Sequence, residues 1–537
     1  MAADGRLFLG VDFSTQQVKT IAINDSLDVT NEYNVKFDTE LPEYKTHGGA
    51  NIHEDHVTVT APTAMWVKAL DLLLDKMKAD NFPFSRVAAL SGTGQQHGSV
   101  YWRKGARDIL SSLDASKSFS DQLQDSYSIR DSPIWMDAST TKQCRDLEEK
   151  VGGPQSLTDI TGSRGYERLT GNQIAKQYQT QRAAYDNTER ISLVSSFAAC
   201  LFIGNYAPID DSDGSGMNLM DIRTRKWSPQ CLDACAPDLD QLLGPIVPSA
   251  QLVGKVSQFL VARYGFSPNC QVGAFTGDNP ASLAGLAPKQ GDLIVSLGTS
   301  DTVFLWLTEP KPALVGHIFA NPVDTSAYMA LLCFKNGSLT RERVRDDIAD
   351  KSWDKFGELL QKSPIGNNGN IGIYFDITEI QPVVEGVYRF DKTDKEVSSF
   401  PPEVEVRALI EGQFMARRVY SETLGFQIGI NTGSGPDSNT RVIATGGASM
   451  NTAILQVLSD VFNAPVYIKD VANSAALGCA FRAKHSWLGP GVPYTEVVKG
   501  VNEPVCVATP TPGADKIYEP LCARYRVLEE KIAQKNS

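Results

Sequence analysis

Two apolar runs in this 537-residue chain break at the same kind of turn. Leu7-Phe8-Leu9-Gly10-Val11-Asp12 passes through Phe13-Ser14-Thr15-Gln16 into a second apolar run from Val18 to Ile23. Leu293-Ile294-Val295-Ser296-Leu297 passes through Gly298-Thr299-Ser300-Asp301 into Val303-Phe304-Leu305-Trp306-Leu307. With Asp12 set over Leu297, Ser14-Thr15 falls on Thr299-Ser300. A tight turn between strands exposes consecutive backbone N–H groups, and hydroxyls beside them add donors, so that together they cradle phosphate oxygens. Two such turns facing each other hold a nucleoside triphosphate from both sides. Only the first has a carboxylate at the Asp12 position, which suits Mg²⁺, an ion usually held through one or two carboxylates and water. An ordinary hairpin is the plainer reading of either turn alone, whereas the matched pair favours phosphate chemistry.

Three further segments carry chemistry. Arg441-Val442-Ile443-Ala444-Thr445 runs into Gly446-Gly447-Ala448-Ser449 and then a helical pattern from about Asn451. Strand, Gly-Gly and helix let a backbone approach a flat ligand closely, with Ser449 or Asn451 as helix cap. Gln271-Val272-Gly273-Ala274-Phe275-Thr276 leads to Gly277-Asp278-Asn279-Pro280. Here Asn279 reads as an N-cap with Pro280 at the first helical position, and Asp278 reads either as turn chemistry or as a base for a substrate hydroxyl. Leu90-Ser91-Gly92-Thr93 ends in Gly94-Gln95-Gln96-His97-Gly98, where amides and an imidazole suit the many hydroxyls of a sugar. Trp135 would add an apolar face and Arg168 a donor. No Ser/His/Asp hydrolase motif, dinucleotide fingerprint or Lys-containing phosphate loop accompanies them.

The elements that must position these groups alternate strand-like runs with helical patterns, an α/β organisation. Val406, Leu409, Ile410 and Phe414 follow helical spacing within 404–425, as do Ile454, Leu455, Leu458, Val461 and Phe462 later. The apolar window from Ile191 to Tyr206 is broken by Ser and Gly and reads as a buried helix, too short to span a bilayer. Residues 104–132 and 430–440 read as mostly loop. The length exceeds one hydrophobic core, and the long-range echo suggests two related domains, 1–285 and 286–537. A net charge of −12 argues against a nucleic-acid or anionic-membrane partner. Nine cysteines without framework spacing fit reduced thiols, and no secretory signal is visible at the start, so the expected location is cytoplasmic.

Taken in chain order, Asp12-Phe13-Ser14-Thr15-Gln16-Gln17, Gly94-Gln95-Gln96-His97-Gly98, Gly277-Asp278-Asn279-Pro280, Gly298-Thr299-Ser300 and Gly446-Gly447-Ala448-Ser449 resemble the motifs of the FGGY carbohydrate kinases over nearly the whole chain. Ser212-Asp213-Gly214-Ser215-Gly216 fits the same pattern. The resemblance implies two ribonuclease-H-like domains of the actin and hexokinase ATPase type, with the active site in the cleft between them. It implies ATP and a ketose as substrates and Mg²⁺ as cofactor, with D-xylulose the expected sugar and D-xylulose 5-phosphate the product. Ribulose and glycerol are the alternatives.

Carried over residue by residue, Asp278 would be the general base. His97, Arg168, Asp278 and Asn279 would bind the sugar, and Asp12 would organise Mg²⁺ directly or through water. Ser14, Thr15, Thr299 and Ser300 would line the phosphates. Gly446, Gly447, Ala448 and Asn451 would hold adenosine, with Trp353 a further nucleotide contact. A chaperone or filament protein on the same fold would need a further module. Only a short tail with several Pro is expected beyond a helix near 472–485. A non-catalytic sugar sensor would need neither Asp12 nor Asp278. The oligomeric state stays open.

Overall fold

A strand that is apolar at every position must be covered on both faces, and all seven residues of Leu7–Phe13 are buried. In the computed structural model, which describes residues 5–428, 440–469, 471–501 and 503–536, this strand (β1) sits inside a seven-stranded sheet. The others are β2 (Gln17–Asn24), β3 (Val29–Lys36), β4 (Val87–Gly94), β5 (Leu252–Lys255), β6 (Gln271–Gly273) and β7 (Thr276–Gly277). Their order is β5-β6-β4-β1-β2-β3, with β7 also beside β4. The second sheet, also of seven strands, holds β8 (Asp292–Leu297), β9 (Asp301–Leu307), β10 (His317–Ala320), β11 (Tyr328–Phe334), β12 (Arg441–Thr445), β13 (Val466–Ile468) and β14 (Val505–Ala508). These run β10-β11-β9-β8-β12-β13-β14.

The echo in sequence is an echo in topology. β1 pairs antiparallel with β2 and parallel with β4, which is parallel to β6. β8 pairs antiparallel with β9 and parallel with β12, which is parallel to β13. Each half therefore joins an antiparallel hairpin to a parallel flank, and the hydroxyl-rich turn closes the hairpin.

Helices cover both sheets. The principal ones are α1 (Val194–Ile203), α2 (Asp278–Gly285), α3 (Trp353–Lys362), α4 (Pro402–Thr423), α5 (Thr452–Phe462), α6 (Ser474–Leu488) and α7 (Ala514–Asn536). In α1 every residue but Ile203 is buried, as a helix apolar on all sides requires. It is shorter than the apolar window, because Ile191–Leu193 instead end a strand paired with Ser99–Arg103. The helices expected in 404–425 and around 454–462 are α4 and α5, with Val406, Leu409, Ile410 and Phe414 in the core.

Although α6 lies late in the chain, it packs on the first sheet, with Ala476, Ala480 and Phe481 against Phe8, Ile21 and Ala89. Glycines make this approach possible. A methyl group on Gly10 would lie 2.0 Å from the Ala476 carbonyl oxygen, and one on Gly478 would lie 1.9 Å from that of Ala281. Backbone thus touches backbone between α2 and α6, which fixes the start of α2.

Two expectations need correction. Residues 104–132 are not mostly loop: they contain helices Ala106–Ser111 and Phe119–Leu123 and strand Tyr127–Ile129. Ser118 caps the second helix, accepting from Asp121 N at 3.0 Å, and Asp114 Oδ1 accepts from Ser116 N at 2.9 Å in the turn between the helices. Asp71 accepts from Phe119 N and Ser120 N at 2.9 and 2.8 Å, while Phe119 and Leu123 are buried. The stretch after α6, expected only as a short tail with several Pro, is in good part helical. Its 23-residue helix α7 buries Tyr518, Tyr525 and Leu528 in the second core despite Pro520. Of the turn expected at 430–440, all but Thr440 lies outside the described residues.

Candidate active site

β1, β4 and β7 run parallel, so their carboxyl ends share one edge, where open α/β sheets bind ligands. Asp12 is the last residue but one of β1, Gln95–His97 follow β4, and Asp278 follows β7. Asp12 is buried; its Oδ2 accepts from Ser14 Oγ at 2.5 Å and lies 3.6 Å from Lys19 Nζ. Burial pushes its pKa up, against the pull of Lys19 and Ser14. The other oxygen, Oδ1, is buried without a hydrogen-bond partner among the described residues. A buried carboxylate oxygen with no donor suits a hard divalent cation, so Asp12 fits Mg²⁺. Thr15 accepts from Trp135 Nε1 at 2.9 Å, which sets the exposed indole beside the turn.

Asp278 opens α2, after Gly277 in extended conformation. The expectation of Asn279 as N-cap and Pro280 as first helical residue is therefore corrected. Pro280 is third, where its missing N–H is one of the orphan donors of a first turn. Asn279 Nδ2 instead donates to Gln96 Oε1 at 3.0 Å and to Asp278 Oδ1 at 3.2 Å. Asp278 Oδ1 also accepts from Asn279 N at 2.9 Å and Gln96 N at 3.3 Å. Burial, and then the neighbouring charge of Asp12, push the Asp278 pKa up to about 7 against those hydrogen bonds. A carboxylate poised near neutrality is suited to general-base work.

His97 sits in the left-handed region, φ 73°. Its Nδ1 is 3.0 Å from the Gly216 carbonyl, which can only accept, so Nδ1 carries the proton and Nε2 is left as acceptor. Burial, with Arg168 adding to it, pushes its pKa down to about 3, so the ring is neutral. Gln96 Nε2 is buried and unpartnered among the described residues. A methyl on Gly216 would lie 3.2 Å from His97 Cε1 and 3.3 Å from Gln96 Nε2, so that glycine forms the floor of the cluster. Arg168 joins through His317, its Nη2 lying 2.9 Å from His317 Nε2. The structure thus brings His97, Arg168, Asp278 and Asn279 to one place.

Two residues, Lys19 and His317, were missed from the sequence, and two more, Gln96 and Asp213, were noticed only within motifs. Lys19 faces Asp12 across the β1–β2 hairpin, and a cation inside an otherwise apolar run was the available signal. Asp213 is buried, accepts from Ser195 Oγ at 2.5 Å, and its Oδ1 would lie 2.7 Å from a methyl on Gly277. Burial, reinforced by Asp210, raises its pKa well above the usual carboxylate range. His317 carries no sequence signal, because nothing near it in the chain belongs to the site.

On the second sheet, the ends of β8 and β12 meet in the same way. A cavity of about 890 Å³ is lined by Gly298, Thr299, Trp353, Gly447, Ala448 and Asn451. A neighbouring one of about 530 Å³ is lined by Ser282, Ser296, Thr302, Thr445 and Gly446, and the two share Met450. Ser282 comes from α2, so the smaller cavity lies between the halves. Ser300 is exposed at the tip of the turn. Asn451 caps α5, accepting from Ile454 N at 3.1 Å, whereas Ser449 Oγ donates to Gly446 O at 2.7 Å. The Arg345 guanidinium lies 4.7 Å over the Trp353 ring.

Gly446 has φ +84°, and a methyl there would lie 2.7 Å from Leu297 O; Gly447 has nothing within 4 Å of that position. Gly447→Val is therefore expected to leave folding intact and raise the KM for ATP at least tenfold (~1.4 kcal/mol), with the sugar KM within about twofold. An unaltered ATP KM would set aside the adenosine role expected for Gly447.

Two repeated sheets of this topology, each with a hydroxyl-bearing hairpin turn at the carboxyl edge of its parallel strands, define an ATPase fold of the actin and hexokinase type. Residues 121–285 match the N-terminal domain of the FGGY family of carbohydrate kinases, and residues 293–487 match its C-terminal domain. A xylulose kinase of Rattus norvegicus is 57% identical over 534 residues, covering 99% of this chain and 98% of the relative. Xylulose kinase 2 of Arabidopsis thaliana is 46% identical, covering 92% of this chain and 90% of the relative. Among solved structures, xylulose kinase from Rhodospirillum rubrum has the same fold, with a TM-score of 0.79 at 15% identity over 98% of this chain and 99% of the other. This chain belongs to the FGGY family of carbohydrate kinases and is a kinase.

Proposed function

We propose that this protein transfers the γ-phosphoryl group of ATP to the terminal hydroxyl of D-xylulose, giving D-xylulose 5-phosphate and ADP. The observation that carries the reading is Asp278, a carboxylate poised near pH 7, set between a cluster of sugar-type donors and acceptors on one side and Asp12 on the other. The xylulose kinases of rat and Arabidopsis, alike over nearly the whole chain, direct the choice of sugar.

In this reading His97 Nε2, Arg168, Asn279 and the free Gln96 amide hold the ketose hydroxyls. Asp278 takes the proton of the terminal hydroxyl, whose oxygen bonds to the γ-phosphorus as the bond to the β–γ bridging oxygen breaks. Phosphoryl transfer asks the protein for alignment and charge neutralisation more than covalent help. Ser14, Thr15, Thr299 and Ser300 line the phosphates; Gly446, Gly447, Ala448, Asn451 and Trp353 hold the adenosine. Asp12 holds Mg²⁺, which neutralises phosphate charge when bound. The division of labour falls near residue 285, with sugar and metal on the first part and nucleotide on the second. No helix among the described residues is long and apolar enough to cross a membrane, and we assign the protein to the cytoplasm.

The test is ADP release with Mg·ATP against D-xylulose, D-ribulose, L-ribulose, glycerol and D-fructose. A kcat/KM for D-xylulose at least tenfold above the rest is expected. Preference for another member would overturn the sugar assignment and leave the family untouched. ATP binding without turnover of any would favour a sensor.

A further inference from the structure

We propose that His317, carried by β10 in the second sheet, is a positioning residue for the sugar: its Nε2 holds the Arg168 guanidinium where it meets a substrate hydroxyl. The inference rests on the sugar-site reading above. A guanidinium only donates, so at 2.9 Å from Arg168 Nη2 the His317 Nε2 must accept. The proton then sits on Nδ1, which is 2.8 Å from Ser163 Oγ. Tyr166 and Phe319 pack on the ring, with centroids 4.8 and 5.9 Å away, so both its tautomer and its plane are set.

Arg168 has no carboxylate within ion-pair distance among the described residues; its central carbon lies 5.7 Å from the Tyr166 ring, and it lines a small cavity with His317, Cys333 and Gln381. Among the described residues, the hydrogen bond that orients its guanidinium is made to a neutral acceptor. That acceptor is itself anchored, because β10 is bonded to the first half beyond the ring. Ile318 N donates to Gly162 O at 2.9 Å, Ala320 N donates to Ser215 Oγ at 3.0 Å, and Ser212 Oγ donates to Ala320 O at 2.7 Å. Ser215 adjoins Gly216, the acceptor for His97. The His97 and His317 rings are 6.4 Å apart. Both imidazoles are thus set from one stretch of chain, and a residue of the second sheet completes a pocket otherwise built on the first. Burial, with Arg168 and His97 adding to it, keeps His317 well below its usual pKa and so able to accept.

Steady-state kinetics of full-length variants with D-xylulose and Mg·ATP test this. His317→Ala is expected to raise the sugar KM roughly tenfold or more, as loss of a hydrogen bond to a charged group does, with the ATP KM within about twofold. His317→Gln restores an acceptor near the Nε2 position and is expected to recover most of the loss, whereas His317→Phe keeps the packing and is expected to resemble Ala. Adding His317→Ala to Arg168→Ala should cost nothing further. Equal recovery by Phe and Gln, or additive losses in the double variant, would overturn the proposal. If the Ala variant does not fold, the Gln and Phe pair decides alone. A normal sugar KM in Arg168→Ala would sink the sugar-site reading itself; a normal His317→Ala beside an impaired Arg168→Ala would sink only the role of His317.

Discussion

Replacing Asp278 with Asn is expected to lower kcat by roughly 10²–10⁴-fold, the range for a lost general base, while the dissociation constant of the sugar changes less than about tenfold. Asn keeps the shape and can keep the contacts with Gln96 N and Asn279 N, so the loss is of basicity. The pH profile separates this from a structural defect. With its pKa pushed up to about 7 by burial and by Asp12, Asp278 can accept a proton only when ionised. The wild-type kcat/KM for the sugar therefore rises with pH through about 7 and falls on the acid side, and the residual rate of the Asn variant has no such limb. Single-turnover phosphorylation with sugar binding measured separately checks both halves. Turnover within a few-fold of wild type would take Asp278 out of the mechanism.

The second large effect is on stability. Asp301 is the first residue of β9, directly after the Thr299-Ser300 turn, and is fully buried. It accepts from Arg341 Nη1 and Nη2 at 2.9 and 2.8 Å and from Arg417 Nη2 at 2.9 Å. Arg341 is as buried as its partner, with Gln413 Oε1 accepting a further bond at 2.9 Å. Breaking a buried pair from one side leaves charge uncompensated and typically costs about 3–5 kcal/mol, here with two arginines stranded. Asp301→Asn is expected to lower stability by about that amount in chemical denaturation, and to raise the ATP KM because the same carboxylate braces the turn. A loss under about 1 kcal/mol would show that the arginines find other partners.

The pH dependence has a defined sign. Burial alone would raise the Asp301 pKa, but Arg341 and Arg417 outweigh it and hold it below the ordinary value. A lowered carboxylate pKa contributes stability above the unfolded value, about 3.9, and loses it as pH falls through the folded one. The gap between wild type and variant should therefore persist at neutral pH and shrink only in acid.

Sequence and structure divide this protein along physical lines. The paired turns, the Gly446-Gly447 loop and the β4 and β7 ends were legible because strand, turn and helix signals act over a few residues, and the repeat made each more specific than it was alone. The same local rules misread 104–132, where Ser118 caps a short helix, Asp114 closes a turn, and the apolar residues find their partners elsewhere in the fold. They also misread the stretch after α6, whose helix is held by burial of Tyr518 and Tyr525 in a distant core and not by any strong local pattern.

What the sequence by itself determined is the local strand, turn and helix segments and the twofold plan that repeats them. Only the tertiary structure decided how Asp278 is charged, since that follows from burial and from Asp12, two strands away. It alone brought His317 against Arg168 from the other sheet and opposed Asn473 to Lys19 at 3.2 Å across the halves. Electrostatics and hydrogen bonding depend on distance in space. Residues hundreds of positions apart share no local pattern that could announce their meeting.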